Sequence, residues 1–343
     1  MKHNYNVTVF LMLLFFTAQF VGLFLLNLSI ESTEINDDGS IEVVYSEPIT
    51  GRPEMEADQS FSYVVTMIFI GTAILLLLIK FKMFKIWKAW FFFAIFGALS
   101  VSFSVIINEI YALILAFILT YFKLYKPNVY IHNATEIFMY SGIAIMLSPM
   151  FNVFWGIMLL LAISVYDAIA VWKLKHMITL AKAQAERKMF AGLLIPYTND
   201  AKDETHIEDF PEEIPKNISK KNSKRIDIPN PEKIVKTNVP VANKSANIKT
   251  EIPKGINQEG VKSAILGGGD IAFPMLFAGS VMTSLIENGL SKNMAYFQSL
   301  IIPVFAGIAL FLLMTKGQKD KFYPAMPFIT TGCLIGYGII LLL

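Results

Sequence analysis

Apolar and polar positions along this chain fall in blocks. Long apolar runs, each apolar on all sides, are separated by short charged turns, the pattern of helices packed in lipid or against one another. Nine runs are predicted to be membrane helices: 7–28, 61–79, 89–107, 110–122, 129–146, 151–172, 264–285, 294–314 and 322–343. Asn108-Glu109 and Ser148-Pro149 mark tight connections. Two stretches break the rhythm. Residues 31–58 are acidic, with Arg52 the only base, and 173–262 form a long polar insertion between the sixth and seventh runs. Leu174 to Phe190 mixes apolar and basic residues at helical spacing, which predicts an amphipathic helix on the membrane surface. About 200–258 is rich in Lys, Asp, Glu, Asn, Ser and Pro, a composition that buries too little apolar surface to fold alone.

Composition agrees. The 343 residues are 55% hydrophobic and 16% charged, against about 25% charged for a soluble domain. The expected fold is therefore an all-α polytopic membrane protein of nine transmembrane helices. It divides into a six-helix bundle (1–172), a loop (173–262) and a three-helix bundle (263–343). The first run is taken as a membrane helix rather than a removable signal. Cys333 is the only cysteine, so no internal disulfide forms.

The distribution of charge says more than its net value of +2. Lys80, Lys82, Lys85 and Lys88 follow the second run, Lys123 and Lys126 the fourth, and Lys316 the eighth. By the positive-inside rule the N-terminus and the 173–262 loop are cytoplasmic and the C-terminus external, in what is expected to be the cell membrane. The basic run from Lys220 to Arg225 is a solvated linker, and no nucleic-acid partner is expected.

Two carboxylates interrupt the apolar runs. Asp167 follows Ser164-Val165-Tyr166 in the sixth, and Asp270 follows Gly267-Gly268-Gly269 in the seventh. Each costs roughly 2.5–3.5 kcal/mol to insert, which makes a functional role the default. Asp167 stands six residues before Lys173, about 9 Å of helix. Asp270 stands six residues after Ala264, so antiparallel neighbours would bring the two to similar depth. Held close, two carboxyls share a proton and titrate as a unit, one base and one acid, which can activate a water against a peptide carbonyl. The same pair can bind a cation or relay protons in a channel or transporter. Composition and depth leave hydrolysis and transport equally open.

Three motifs separate the readings. Tyr166-Asp167, Gly267-Gly268-Gly269-Asp270 and Pro324-Ala325-Met326-Pro327 occur in the order and spacing of the Tyr-Asp, Gly-x-Gly-Asp and Pro-Ala-Leu motifs of presenilins and signal peptide peptidases. The chain resembles an archaeal-type presenilin homologue over essentially its whole length, with Met326 where leucine is usual, a substitution that keeps size and apolarity. The resemblance implies a GxGD-type intramembrane aspartyl protease acting on single-span transmembrane peptides within the lipid bilayer, without metal or other cofactor. It makes Asp167 and Asp270 the catalytic dyad, with Tyr166, Gly267, Gly269, Pro324, Ala325, Met326 and Pro327 lining the site. Glycine costs about 1 kcal/mol in a helix relative to alanine, so the glycine run should resist regular helix and let another backbone approach Asp270. The two prolines should keep the start of the ninth run extended, its carbonyls free to pair with substrate.

Other residues carry weaker signals. Glu136 and His132 lie one turn apart within the fifth run, placed to satisfy each other in the bundle interior. Trp87, Trp90, Trp155 and Trp172 lie near predicted interfaces, where belt anchoring accounts for them. There is no His-Glu-x-x-His, no serine in a Gly-x-Ser-Gly context and no phosphate-binding loop. Nor do inverted repeats of the kind common in transporters occur. The sequence carries no signal for oligomeric state.

Overall fold

The computed structural model describes residues 5–53, 55–126, 128–174, 191–198, 261–317 and 323–343. The amphipathic helix expected at 174–190 and the polar stretch at 200–258 lie essentially outside them. Helices occupy each of the nine runs: α1 (Tyr5–Leu28), α2 (Ala57–Lys80), α3 (Phe84–Ser104), α4 (Glu109–Tyr125), α5 (Val129–Leu147), α6 (Val153–Ile169, continued by a π-turn at Ala170–Leu174), α7 (Gly268–Glu287), α8 (Lys292–Ser299) with α9 (Ile301–Lys316), and α10 (Met326–Ile340). Among the described residues six spans, with α8 and α9 counted as one, are long and apolar enough to cross a membrane. Asparagines start three helices. The side chains of Asn108, Asn128 and Asn152 accept first-turn N–H groups of α4, α5 and α6. The eighth run breaks at Leu300 because Pro303 has no N–H for the carbonyl of Ser299.

The expectation of an all-α chain needs correction. Two antiparallel strand pairs are present among the described residues: β1 (Ile30–Ile35) with β2 (Ile41–Tyr45), and β3 (Gly192–Thr198) with β4 (Val261–Gly267). The β1–β2 hairpin caps one end of the bundle. The Tyr45 hydroxyl bonds that of Thr283, Arg52 Nη2 donates to the carbonyl of Ile145 at 3.2 Å, and Lys292 Nζ to that of Ile30 at 2.8 Å. Burial there pushes the Tyr45 hydroxyl up to about 12. β4 occupies the first residues of the expected seventh span. Ala264 to Gly267 are strand, and the helix begins only at Gly268. A short apolar run before a glycine cluster fits either structure, and pairing with β3 decides it.

Helix α7 is the hub. It touches α1, α5, α6, α8, α9 and α10, and 67% of its apolar window is buried, against 6% for α2 at the periphery. Pro274 inside α7 leaves the carbonyl of Asp270 without its i+4 donor. One residue on, Gln19 of α1, fully buried, donates Nε2 to the carbonyl of Ile271 at 2.8 Å and pins the two helices together. Trp87 is not a belt residue: it is buried among Leu75, Leu78, Ile79 and Phe91.

Without a hydrophobic driving force between helices in lipid, close backbone contact has to hold them. A Cβ on Gly142 of α5 would lie 1.9 Å from the Ala98 carbonyl oxygen of α3. Gly332 and Gly336, four apart on α10, meet the backbone of Phe305 and Ala306, and of Ile301 and Ile302, in α9. Gly338 on the same helix faces open space. Gly332→Val is expected to lower unfolding stability in detergent by about 1–3 kcal/mol through overpacking, and Gly338→Val to leave it nearly unchanged, as read by thermal or denaturant melts.

Candidate active site

Asp167 lies near the C-terminal end of α6, with its carboxylate at the start of α10. Met326 N–H donates to Oδ2 at 3.1 Å, and the Ala325 N–H is directed at the same group. One turn away, the hydroxyls of Ser164 and Thr330 bond at 2.7 Å, and Thr330 also donates to the Leu160 carbonyl at 3.4 Å. Two polar ties therefore fix α6 on α10.

Asp270 is the third residue of α7, in its first turn rather than six residues into a span. Gly267 is the N-cap, and its N–H is directed at the Asp270 carboxyl. This is the return arm of a capping box, with an acidic side chain reaching back to the N-cap. Both aspartates thus sit at helix N-termini, where exposed N–H groups and the helix dipole favour an anion: Asp270 at its own helix, Asp167 at α10. Both are half-buried, and each lies within Coulombic reach of the other.

The remaining expected residues divide. Pro324 and Met326 are buried beside Asp167's donors, and Ala325 is the N-cap of α10. The stretch does not stay extended. Pro327 stands in the first helical turn, where proline is welcome, and the Ala325 carbonyl accepts from Phe328 and Ile329 inside the helix. The motif meets the site through N–H groups rather than through free carbonyls. Tyr166 turns toward α2: its ring stands edge-on to Phe69 at 5.6 Å, and its hydroxyl lies 3.4 Å from that of Thr72. An open apolar groove of about 460 Å³ between α2 and α6 is lined by Val65, Phe69, Leu161 and Tyr166 among others. The approach to the glycine run comes at Gly268, from a side chain rather than a backbone. A Cβ there would lie 2.3 Å from the Tyr140 hydroxyl oxygen. Gly267 and Gly269 meet only Asp270 and Phe273.

A polar stripe on α5 completes the surroundings. Asn133 Nδ2 donates to the Leu194 carbonyl at 2.8 Å while its Oδ1 accepts Leu194 N–H at 2.9 Å, so one side chain pairs with β3 as a strand would. His132 Nε2 bonds the Gly192 carbonyl at 2.8 Å, which places a proton on Nε2. Glu136 is fully buried, paired with the Lys123 ammonium and bonded by the Tyr140 hydroxyl and by Gly192 N–H at 2.9 Å. His132 and Glu136 do not chiefly satisfy each other, since Nε2 lies 3.8 Å from Oε1. Lys123, expected at an interface, is 3% exposed. Sequence reasoning missed Lys123, Asn133, Tyr140, Gly192 and Gly268. The spacing of His132, Glu136 and Tyr140 at i, i+4 and i+8 was the one available signal. Among the described residues, no cluster of His, Cys, Asp and Glu is arranged to hold a metal ion.

Two acidic residues, each meeting the start of a helix, thus lie inside a helical bundle with spans apolar enough for a membrane. The family described as "Signal-peptide peptidase, presenilin aspartyl protease" matches residues 13–213, and the chain belongs to it. It is also similar to two solved structures of a presenilin family intramembrane aspartate protease, one in the C222 and one in the P2 space group. Each has 15% identity and a TM-score of 0.55, with coverage of 98% of both chains for the first, and of 97% of this chain and 96% of the other for the second. At that identity the likeness is one of fold. No curated protein matches the chain.

Breaking the buried pair from one side leaves a charge without its partner. Lys123→Met is expected to cost about 3–5 kcal/mol of stability. Lys123→Met with Glu136→Gln should recover much of that, measured by melting in detergent.

Proposed function

We propose that this integral membrane protein is an intramembrane aspartyl endopeptidase of the GxGD type, with nine spanning helices, that cleaves single-span transmembrane segments. Asp167 and Asp270 share one proton. The ionised carboxyl takes a proton from a water as its oxygen adds to the scissile carbonyl, and the protonated one supplies the departing amine. The observation that carries this reading is the placement of the two carboxyls, within Coulombic reach of one another and each at a helix N-terminus. Asp270 belongs to the C-terminal unit 263–343, Asp167 to 1–172, and 173–262 joins them.

A substrate helix must unwind to expose its carbonyl, and its freed backbone then needs partners. The outer edge of β4, unpaired among the described residues, supports strand addition there, in place of the motif carbonyls that α10 uses itself. The apolar groove ending at Tyr166 gives a lipid-embedded segment a path to Asp167. The lysines at 80, 82, 85 and 88 support a cytoplasmic placement of that end, of the N-terminus and of the 173–262 segment, with the C-terminus external. Lys123 no longer counts toward that asymmetry, because it is consumed in a buried pair.

In liposomes with a labelled single-span peptide, the wild type is expected to cleave with a bell-shaped pH profile that belongs to the pair. Asp167→Asn and Asp270→Asn should each lower turnover by a factor on the order of 10²–10⁴ while leaving the melting transition in place. Proton or cation flux through the wild type with no peptide cleavage would establish transport instead.

A further inference from the structure

The buried carboxylate of Glu136 lies on a different helix from either aspartate, yet its contacts converge on the turn that carries Asp270. We propose that Glu136, acting with Tyr140, is a positioning residue for Asp270. This inference rests on the reading of Asp270 as one of two catalytic carboxyls.

Oε2 of Glu136 accepts two hydrogen bonds, and each leads to the Asp270 turn by its own route. The first comes from Gly192 N–H at 2.9 Å. Gly192 is opposite Gly267 in the β3–β4 register, and Gly267 is the N-cap whose N–H faces the Asp270 carboxyl. Holding Gly192 therefore holds the strand end from which α7 starts. Gly192 has φ +147°, within the range that favours glycine, and its carbonyl is fixed as well, by His132. The second bond comes from the Tyr140 hydroxyl. That hydroxyl occupies the place a Cβ on Gly268 would take, and Tyr140 lies within Coulombic reach of Asp270. One oxygen atom thus sets the two residues, 267 and 268, over which strand becomes helix. Oε1 pairs with Lys123, so both oxygens of the side chain are taken up by named donors.

An ion pair that only stabilised the bundle would have no need of this arrangement. Apolar residues of equal volume often serve as well in that role. What they cannot supply is an acceptor shared between Gly192 and Tyr140. Misplacing a reacting group by about 1 Å costs roughly 100-fold in rate, so a loosened turn would be felt in chemistry first.

Three variants test this, the two at Glu136 made together with Lys123→Met so that no buried ammonium loses its partner: Tyr140→Phe, which removes one hydroxyl; Glu136→Leu, which removes both bonds; and Glu136→Gln, which keeps an acceptor oxygen. Turnover of a single-span peptide would be measured per active site, titrated with a transition-state-mimicking aspartyl protease inhibitor. In parallel, hydrogen exchange would be followed by mass spectrometry over residues 264–271 and over α9 and α10. We expect Tyr140→Phe and Glu136→Leu to lower kcat per titrated site roughly 10- to 100-fold with KM within about twofold, and Glu136→Gln to recover part of the loss. Exchange should quicken at 264–271 and stay unchanged in α9 and α10. Unchanged kcat per site, or exchange quickened evenly through the bundle, would overturn the proposal and leave the cluster as a general stabiliser. If the wild type cleaves nothing, the proteolytic reading fails, and the local exchange pattern still decides whether Glu136 fixes the 264–271 turn.

Discussion

Strands are a poor fit for a bundle in lipid, because each unpaired N–H or carbonyl in hydrocarbon costs several kcal/mol. This molecule nonetheless carries a strand pair against its helices, and the carboxylate of Glu136 is what makes it tenable. With Asn133 and His132 it turns one face of α5 into a substitute strand and satisfies one edge of β3. β3 then pairs with β4, and β4 ends at the glycines that start α7. Without that edge on α5, the start of α7 would have nothing to register against. Lys123 pairs with the other oxygen of the same buried side chain.

The rest of the packing keeps that turn in a fixed frame. α7 is surrounded on nearly all sides, and Gln19 steadies its backbone beside the gap that Pro274 leaves. Glycines bring α3 onto α5 and α9 onto α10, so the two helices that supply polar groups to the aspartates are themselves held tightly. α2 has no such contacts. It is tied to α6 through Phe61 on Trp155 at one end and through Phe69, Thr72 and Tyr166 at the other, beside an open apolar groove. Packing is thus dense around Asp270 and sparser where α2 meets α6.

Much of this was legible in the sequence. Runs of apolar residues locate helices because lipid imposes a minimum length, and Asp167 and Asp270 were conspicuous because a charge inside such a run is expensive. What stayed hidden depended on partners far along the chain. Ala264 to Leu266 read as the start of a span, since nothing local shows that Gly192 to Thr198 will pair with that stretch. Lys123 read as an interface charge because its partner, Glu136, lies on the next helix. The middle glycine, Gly268, had no pattern to separate it from Gly267 and Gly269; only the Tyr140 hydroxyl does that. Pro327 could equally have kept the chain extended or begun a helix, and the carboxylate of Asp167 waiting for the Met326 N–H favours the second.

Two helices begin at the aspartates rather than passing them: α7 two residues before Asp270, and α10 at the residue whose N–H meets Asp167. On that side of the pair, strand and coil take the place of two helical walls. Hydrolysis consumes a molecule of solvent for every bond broken, and a bilayer is a poor reservoir of it. A floor built of backbone edges, polar by nature, offers water a less apolar approach to the carboxyls than two helical walls would. On the proposed hydrolytic reading, the irregular start of each helix is therefore also where the second reactant would enter.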